Sequence, residues 1–219
     1  MNRDCDVVLP CRDEAAALPG VLASMPEGFR PLVVDNGSRD RTAAVAEAYG
    51  ARVVTEPRPG YGNAVHAGAA AATAPFVAVV DGDGSFDLAA LPTLLGPVAV
   101  GAATMAVGRR RPVTRRVWPW HARVGNALVA GWLRARTSLD VHDLAPVRVC
   151  RLADLLDLGV QDRGFGYPVE LLLRAAGRGW TVVEVDVTYL PRAAGTRSKV
   201  SGSALGSLRA VRDFARVLS

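Results

Sequence analysis

The chain has 219 residues, half of them apolar, and a net charge of +5, which is enough to fill a sizeable core in one large domain or two small ones. No run approaches the roughly 20 apolar residues of a membrane span, and Met1 is followed by charged residues rather than a signal peptide's apolar stretch, so the reading is cytoplasmic. Cys5, Cys11 and Cys150 are odd in number and lack C-x-x-C spacing, which argues against a disulfide framework and a zinc site.

In chain order, "DVVLP" from Asp6 predicts a first strand and "EAAALPGVLASM" a helix. "PLVVDN" is a second strand, with Ser38 or Asp40 placed to cap the helix "RTAAVAEAYG", which Gly50 stops. "ARVVTE" is a third strand. After "PRPGYG" come the helix "NAVHAGAAAAT" and the strand that opens "FVAVVDGDGSFD". Strands alternating with helices predict an α/β fold with a mostly parallel central sheet and helices on both faces. Ligands bind such sheets beyond the carboxyl ends of the strands. Pro10, Asp35 and Asp81 stand at those ends.

Beyond Asp87 the alternation loosens. "LAALPTLLGPV" predicts a helix, "TMAVGRR" a strand, and "TRRVWPWHARVGNALVAGWLRART" a helical region broken at Pro119. "DLAPVRVCR" predicts a strand, "YPVELLLRAAGRG" a helix and "WTVVEVDVTYL" a last strand. Without linker or repeat, one domain over 1–219 is expected, with a ligand-binding half over 1–108 and a second half over 109–219.

Of 26 basic residues only Lys199 is lysine. Arginine suits phosphate because its planar fork donates paired hydrogen bonds, although compositional bias produces the same excess. Arg109, Arg110, Arg111, Arg115, Arg116 and Arg123 crowd one stretch. Asp81 and Asp83, two apart on extended chain, project to one side, and Gly82 between them leaves room for close approach. At about 5 Å and an effective dielectric of 20 their repulsion is roughly 3 kcal/mol, so a cation between them makes sense of the pair. Hard carboxylate oxygens favour Mg²⁺ or Mn²⁺. By itself D-x-D is also compatible with a solvated turn. His66, His121 and His142 have no ligand spacing.

The segments "VVLPCRDEAAALPGVL", "PLVVDNGSRDRT", "PRPGYGNAVHAGAAAA" and "FVAVVDGDGSFD" resemble, in order and spacing, family 2 glycosyltransferases of the GT-A fold. "HDLAPVRVCR" and "DRGFGYPVELLLRAAGRGWTVVEVDVTYLPRAAGTRSKVSG" are similar to the dolichyl-phosphate and polyprenyl-phosphate sugar synthase branch, whose membrane-spanning tail has no counterpart here. The resemblance implies transfer from a UDP- or GDP-linked sugar with inversion. It assigns Pro10, Arg12 and Glu14 to the nucleoside pocket, with Asp13 where the family has asparagine. Asp35 corresponds to the aspartate on the base, and Gly37, Ser38 and Asp40 to its turn, with Asn36 replacing a common second aspartate. Gly60, Gly62 and Ala64 match a loop beside the donor. Asp81 and Asp83, with Gly82 between, match the metal pair, Ser85 standing where relatives carry a glutamine. Arg192 and Lys199 match a basic motif around the phosphates.

For a hydroxyl acceptor Asp143 and Glu170 are the candidate bases. A phosphate acceptor needs none, and Arg109, Arg115, Arg116 and Arg123 would then hold a lipid phosphate at the inner membrane face. No nucleic-acid partner is expected. "SALGSLRAVRDFARVLS" reads as a basic amphipathic helix that packs on its own domain or lies on an anionic bilayer, as Trp118 and Trp120 beside Arg115 and Arg116 also could. Two other classes remain: a sugar-1-phosphate nucleotidyltransferase, whose glycine-rich, lysine-containing signature "PCRDEAAALPG" lacks, and a nucleotide-binding protein without turnover.

Overall fold

A computed structural model describes residues 4–144 and 147–193. Seven strands form one sheet: β1 (Cys5–Cys11), β2 (Phe29–Asp35), β3 (Arg52–Thr55), β4 (Phe76–Val79), β5 (Met105–Pro112), β6 (Arg148–Arg151) and β7 (Val182–Tyr189), in the order β3-β2-β1-β4-β6-β5-β7. All neighbours pair in parallel except β6, which runs antiparallel to both β4 and β5. The helices are α1 (Leu18–Ala23), α2 (Thr42–Ala48), α3 (Tyr61–Ala71), α4 (Leu91–Ala99), α5 (Trp120–Arg136), α6 (Leu152–Leu158) and α7 (Tyr167–Gly177).

Strand alternation sorts the core. Val7 and Leu9 of β1 face a cluster with α1, α2 and α4, whereas Val8 faces one with α3, α5, α6 and α7. A central strand covered on both faces has to be apolar throughout, and all four residues of β4 are buried. The helices differ from expectation where local chemistry intervenes. Residues 15–17 form a turn, and α1 starts only at Leu18, with Pro19 in its first turn where the missing N–H costs nothing. Pro119 sits at the N-cap of α5 rather than inside a longer helix. The short α6 follows β6 directly.

The topology brings one set of ends to one rim. Cys11 lies opposite Asp35, and Asp35 opposite Thr55, so the loops after β1, β2 and β3 are neighbours. β6 enters the sheet at the same rim, with Arg148 opposite Val79 of β4. β5 and β7 run past it together to the pair Pro112–Tyr189.

Candidate active site

The first three loops of the rim are tied to each other by hydrogen bonds. The Asp13 N–H donates to Ser38 Oγ (3.0 Å), the Glu14 N–H to Thr42 Oγ1 (2.9 Å) and the Ala15 N–H to Asp40 Oδ2 (3.1 Å), while Asp13 Oδ1 accepts from the Arg39 N–H (2.7 Å). Asp13 takes a left-handed conformation (φ 55°) to make this turn. Asp35 Oδ1 accepts the Ser38 N–H (2.9 Å), and Gly37 supplies the left-handed residue between them (φ 74°). Ser38 and Asp40 thus hold the loops together. Arg12 is exposed beside this turn, Pro10 partly exposed and Glu14 buried.

Asn36 joins the third loop to the second. Its amide donates to the carbonyls of Glu56 (2.9 Å) and Arg58 (2.7 Å), and its Oδ1 accepts the Gly60 N–H (2.9 Å). An aspartate could not donate either bond, so the departure from the family pattern has a structural reason. The next close contact is backbone to backbone. A Cβ on Gly60 would lie 2.2 Å from the Arg163 carbonyl oxygen, and one on Gly62 2.4 Å from that of Asp162. Glycine is needed there because a second loop, rather than a ligand, presses on it. That loop is anchored by Glu170, which accepts the N–H groups of Gln161 (2.9 Å) and Asp162 (2.6 Å) and the Nε–H of Arg174 (2.5 Å). Burial raises the Glu170 carboxyl, but the two backbone donors and Arg174 outweigh it and leave the group below its ordinary range.

The acidic pair follows β4. Gly82 is explained by the fold, since a Cβ there would come within 2.3 Å of Cys11 Sγ. Asp83 is buried; its Oδ1 accepts the Ser85 N–H (3.0 Å) and its Oδ2 pairs with Arg192 Nε. Arg192 is brought there by chain beyond β7, which runs back along the hairpin: Leu190 N–H donates to the Ser85 carbonyl (2.8 Å) and Ala193 N–H to that of Asp83 (3.1 Å). The Asp81 carboxylate has no hydrogen-bond donor among the described residues. Burial and the Asp83 charge push it up to about 7, against the pull of Arg192, Arg148 and Arg110. Two hard carboxylates, one lacking a donor and held next to like charge, fit a divalent cation. Among the described residues no group of three acidic, histidine or cysteine side chains is close enough to hold a metal, so Asp81 and Asp83 would share the ion with water and ligand oxygens. Ser85 Oγ is buried and makes no hydrogen bond among the described residues.

Of these arginines, Arg148 was not singled out from the sequence, and Arg110 only as one of the crowded basic stretch. Arg148 opens β6, is 3% exposed, and leaves Nη2 without a hydrogen-bond partner among the described residues, while Nη1 donates a long bond to the Tyr61 hydroxyl (3.5 Å). Arg110 donates Nη2–H to Asp143 Oδ1 (2.6 Å) and Nε–H to Oδ2 (3.0 Å), and its guanidinium stacks 4.0 Å from the Trp118 ring centroid. Asp143, 2% exposed, also accepts the Arg110 backbone N–H (2.8 Å). Glu184 of β7 carries this loop by accepting the N–H groups of His142 (2.5 Å) and Asp143 (2.9 Å). Asn126 on α5 accepts from Arg110 Nη2 (3.1 Å) and from the Leu144 N–H (3.0 Å). Arg109 falls on the strand face opposite Arg110. Arg115, Arg116 and Arg123 are exposed on the approach to α5 and its first turn. Lys199 and the stripe over 203–219 lie outside the described residues.

A sheet of this order, with paired carboxylates beyond its central parallel strand, defines a glycosyltransferase of the GT-A fold. The chain belongs to glycosyltransferase family 2: residues 6–149 match the Glycosyl transferase family 2 domain. An uncharacterized glycosyltransferase of Mycobacterium tuberculosis is 58% identical over 213 residues, covering 97% of each chain. The polyprenol monophosphomannose synthase of Mycolicibacterium smegmatis is 32% identical over 219 residues, covering 90% of this chain and 81% of that one. Among solved structures, glucosyl-3-phosphoglycerate synthase from M. tuberculosis in complex with Mn²⁺, UDP and phosphoglyceric acid superposes with a TM-score of 0.75 at 26% identity, covering 99% of this chain and 77% of that one.

Proposed function

We propose that the protein is a metal-dependent, inverting glycosyltransferase that moves a sugar from a UDP- or GDP-linked donor to an acceptor bearing a phosphate, with polyprenyl phosphate the first candidate. The observation that carries this reading is the convergence of Arg110, Arg148 and Arg192 on the Asp81–Asp83 pair at the carboxyl rim. The relatives support it: one is named for a polyprenol monophosphate product, and the solved neighbour holds Mn²⁺, UDP and a phosphate-bearing acid.

On this reading the base and ribose lie over the stitched loops of Pro10, Arg12, Glu14 and Asp35, whose second oxygen accepts a ring N–H. Mg²⁺ or Mn²⁺, when bound at Asp81 and Asp83, neutralises charge on the departing diphosphate. Arg192 and Lys199 stabilise that same charge as the bond from the sugar C1 to the diphosphate oxygen breaks. An acceptor phosphate oxygen forms the new bond to C1 from the opposite face. It is already ionised, so no general base is required. The absence of a base agrees with how the two carboxylates are used: Asp143 orients Arg110, and Glu170 positions the loop under Gly60 and Gly62. Arg115, Arg116 and Arg123, exposed ahead of and in the first turn of α5, would meet the acceptor phosphate, whereas Arg109 falls on the other strand face and is left out of this reading.

The test is a thermal-shift panel of UDP, GDP and their sugars with and without Mn²⁺, followed by product analysis with polyprenyl phosphate and with phosphoglyceric acid. Ligand binding raises stability with concentration over Kd, and the expected result is one metal-dependent nucleotide and transfer to a phosphate-bearing acceptor. A folded Asp83→Asn protein that transfers sugar at the wild-type rate would end the metal reading. Transfer only to acceptors lacking phosphate would end the acceptor reading.

A further inference from the structure

The outer face of α5 is apolar where a lone surface helix should be polar. Trp120 is 76% exposed, Val124 49% and Leu128 69%. Spaced four apart on a helix that rises 1.5 Å per residue, they form one stripe about 12 Å long. The opposite side of the helix is satisfied: Ala130 and Leu133 are buried, and Asn126 binds Arg110. Val113, on the turn leading into the helix, is half exposed as well. Nothing among the described residues covers the stripe.

The charge around it has one sign. From Leu88 to Leu139 the sequence contains eight arginines and no aspartate or glutamate. Arg115 and Arg116 precede the helix, and Arg123 flanks Trp120 one turn on; all three are exposed. An exposed tryptophan at the end of an apolar stripe, bordered by arginines, fits the boundary between acyl chains and anionic headgroups. A protein partner or nucleic acid accounts for only one half of the pattern: the first does not require an acid-free region, and the second does not require the apolar stripe.

We propose that the outer face of α5, with the turn that leads into it, docks the protein onto a bilayer carrying anionic headgroups. The ring of Trp120 and the side chains of Val124 and Leu128 enter the interface, and Arg115, Arg116 and Arg123 meet the headgroups. Asn126, on the inner side of the same helix, then holds Arg110 directly behind the membrane surface. The docking surface stands apart from the identity of the acceptor, because it is read from exposed apolar side chains and the charge around them.

The test uses the full chain and vesicles of phosphatidylcholine alone or mixed with phosphatidylglycerol. Sedimentation with mixed vesicles, little with phosphatidylcholine, and release by high salt are expected, since screening shortens the reach of exposed charges. The double variant Trp120→Ser, Leu128→Ser should bind mixed vesicles about tenfold more weakly while its unfolding temperature and its transfer to a water-soluble acceptor stay unchanged. Equal sedimentation of variant and wild type overturns the proposal, as does failure of the wild type to bind mixed vesicles. In a separate Leu128→Cys protein, maleimide should react quickly without vesicles and slowly with mixed ones; the native cysteines are all buried. A Cys at 128 that is unreactive before vesicles are added shows that another part of the chain, or a second copy revealed by light scattering, covers the stripe, and also overturns it.

Discussion

The two halves of the rim are held by different forces. The loops after β1, β2 and β3 are joined mainly by backbone N–H groups donated to neutral or carboxylate side chains of a neighbouring loop, and by an asparagine that bridges three backbone positions. Around β5, β6 and β7 the contacts are between charges, Arg110 with Asp143 and Arg192 with Asp83. The first arrangement is pre-formed before any ligand arrives. The second keeps its charges paired with one another until a charged ligand competes for them. On the proposed reading a donor would meet a rigid platform next to a set of ionic partners that can be exchanged.

Substitutions can break that contrast, and the largest effect is expected where a buried charge loses its partner. Asp143→Ala strands Arg110 and should cost about 3–5 kcal/mol of stability by chemical denaturation. A loss under 1 kcal/mol would mean the second half is not held by charge. Next comes Asp83→Asn, which should lower kcat by about 10²–10³ and abolish the Mn²⁺-dependent shift in melting temperature, while leaving the stitched loops intact. Asn36→Asp faces a carboxylate toward two carbonyls it cannot bind, and should cost about 2–3 kcal/mol and raise the donor KM more than it lowers kcat. Gly62→Ala pushes a methyl group into the 162–163 backbone and should cost about 2 kcal/mol.

The smallest effect concerns a charged contact in the first half, at the end of β1 away from the rim. Asp6 on β1 accepts the N–H groups of Thr73 (2.6 Å) and Ala74 (2.9 Å) and the Nε–H of Arg30 (2.8 Å). Burial raises its carboxyl, but these donors outweigh it and hold it below the ordinary 3.8. A depressed carboxyl contributes its stability above the unfolded value and loses it as pH falls through the folded one. Asp6→Asn should therefore cost about 1–2 kcal/mol at pH 7, with the gap to wild type closing as pH falls below the ordinary 3.8 and through the depressed folded value. A gap that persists in acid would assign the loss to packing.

Much of this was legible in the sequence. The apolar runs ending in Pro10, Asp35 and Asp81 marked the strands and their common rim, because the middle of a parallel strand covered on both faces is apolar and polar residues resume at its ends. What could not be read was which partner a residue meets. Gly60, Gly62 and Gly82 announce close approach, but only the fold shows the approaching atoms to be the 162–163 backbone and Cys11 Sγ. Counting arginines marked Arg109 and Arg110 alike and the acceptor assignment took Arg109, whereas strand alternation and register bring Arg110 and Arg148 to the acidic pair. Arg148 left a signal, a lone charge inside the apolar run "PVRVC", which is costly unless something balances it. The short α6 was missed because seven residues fit too few turns for a period to show.

The reversal of β6 has a consequence for how such a scaffold diversifies. β1, β2 and β3 reach the rim with their last residues, so lengthening the loops that follow them disturbs a set of loops bonded to each other. β6 instead arrives there with its first residue, fed by the connection from α5. Among the described residues that connection is tied to β5 and β7 only from His142 onward, through Asp143 on Arg110 and through Glu184, so chain added between α5 and His142 would lengthen the rim beside the acidic hairpin and leave the bonded loops after β1, β2 and β3 as they are.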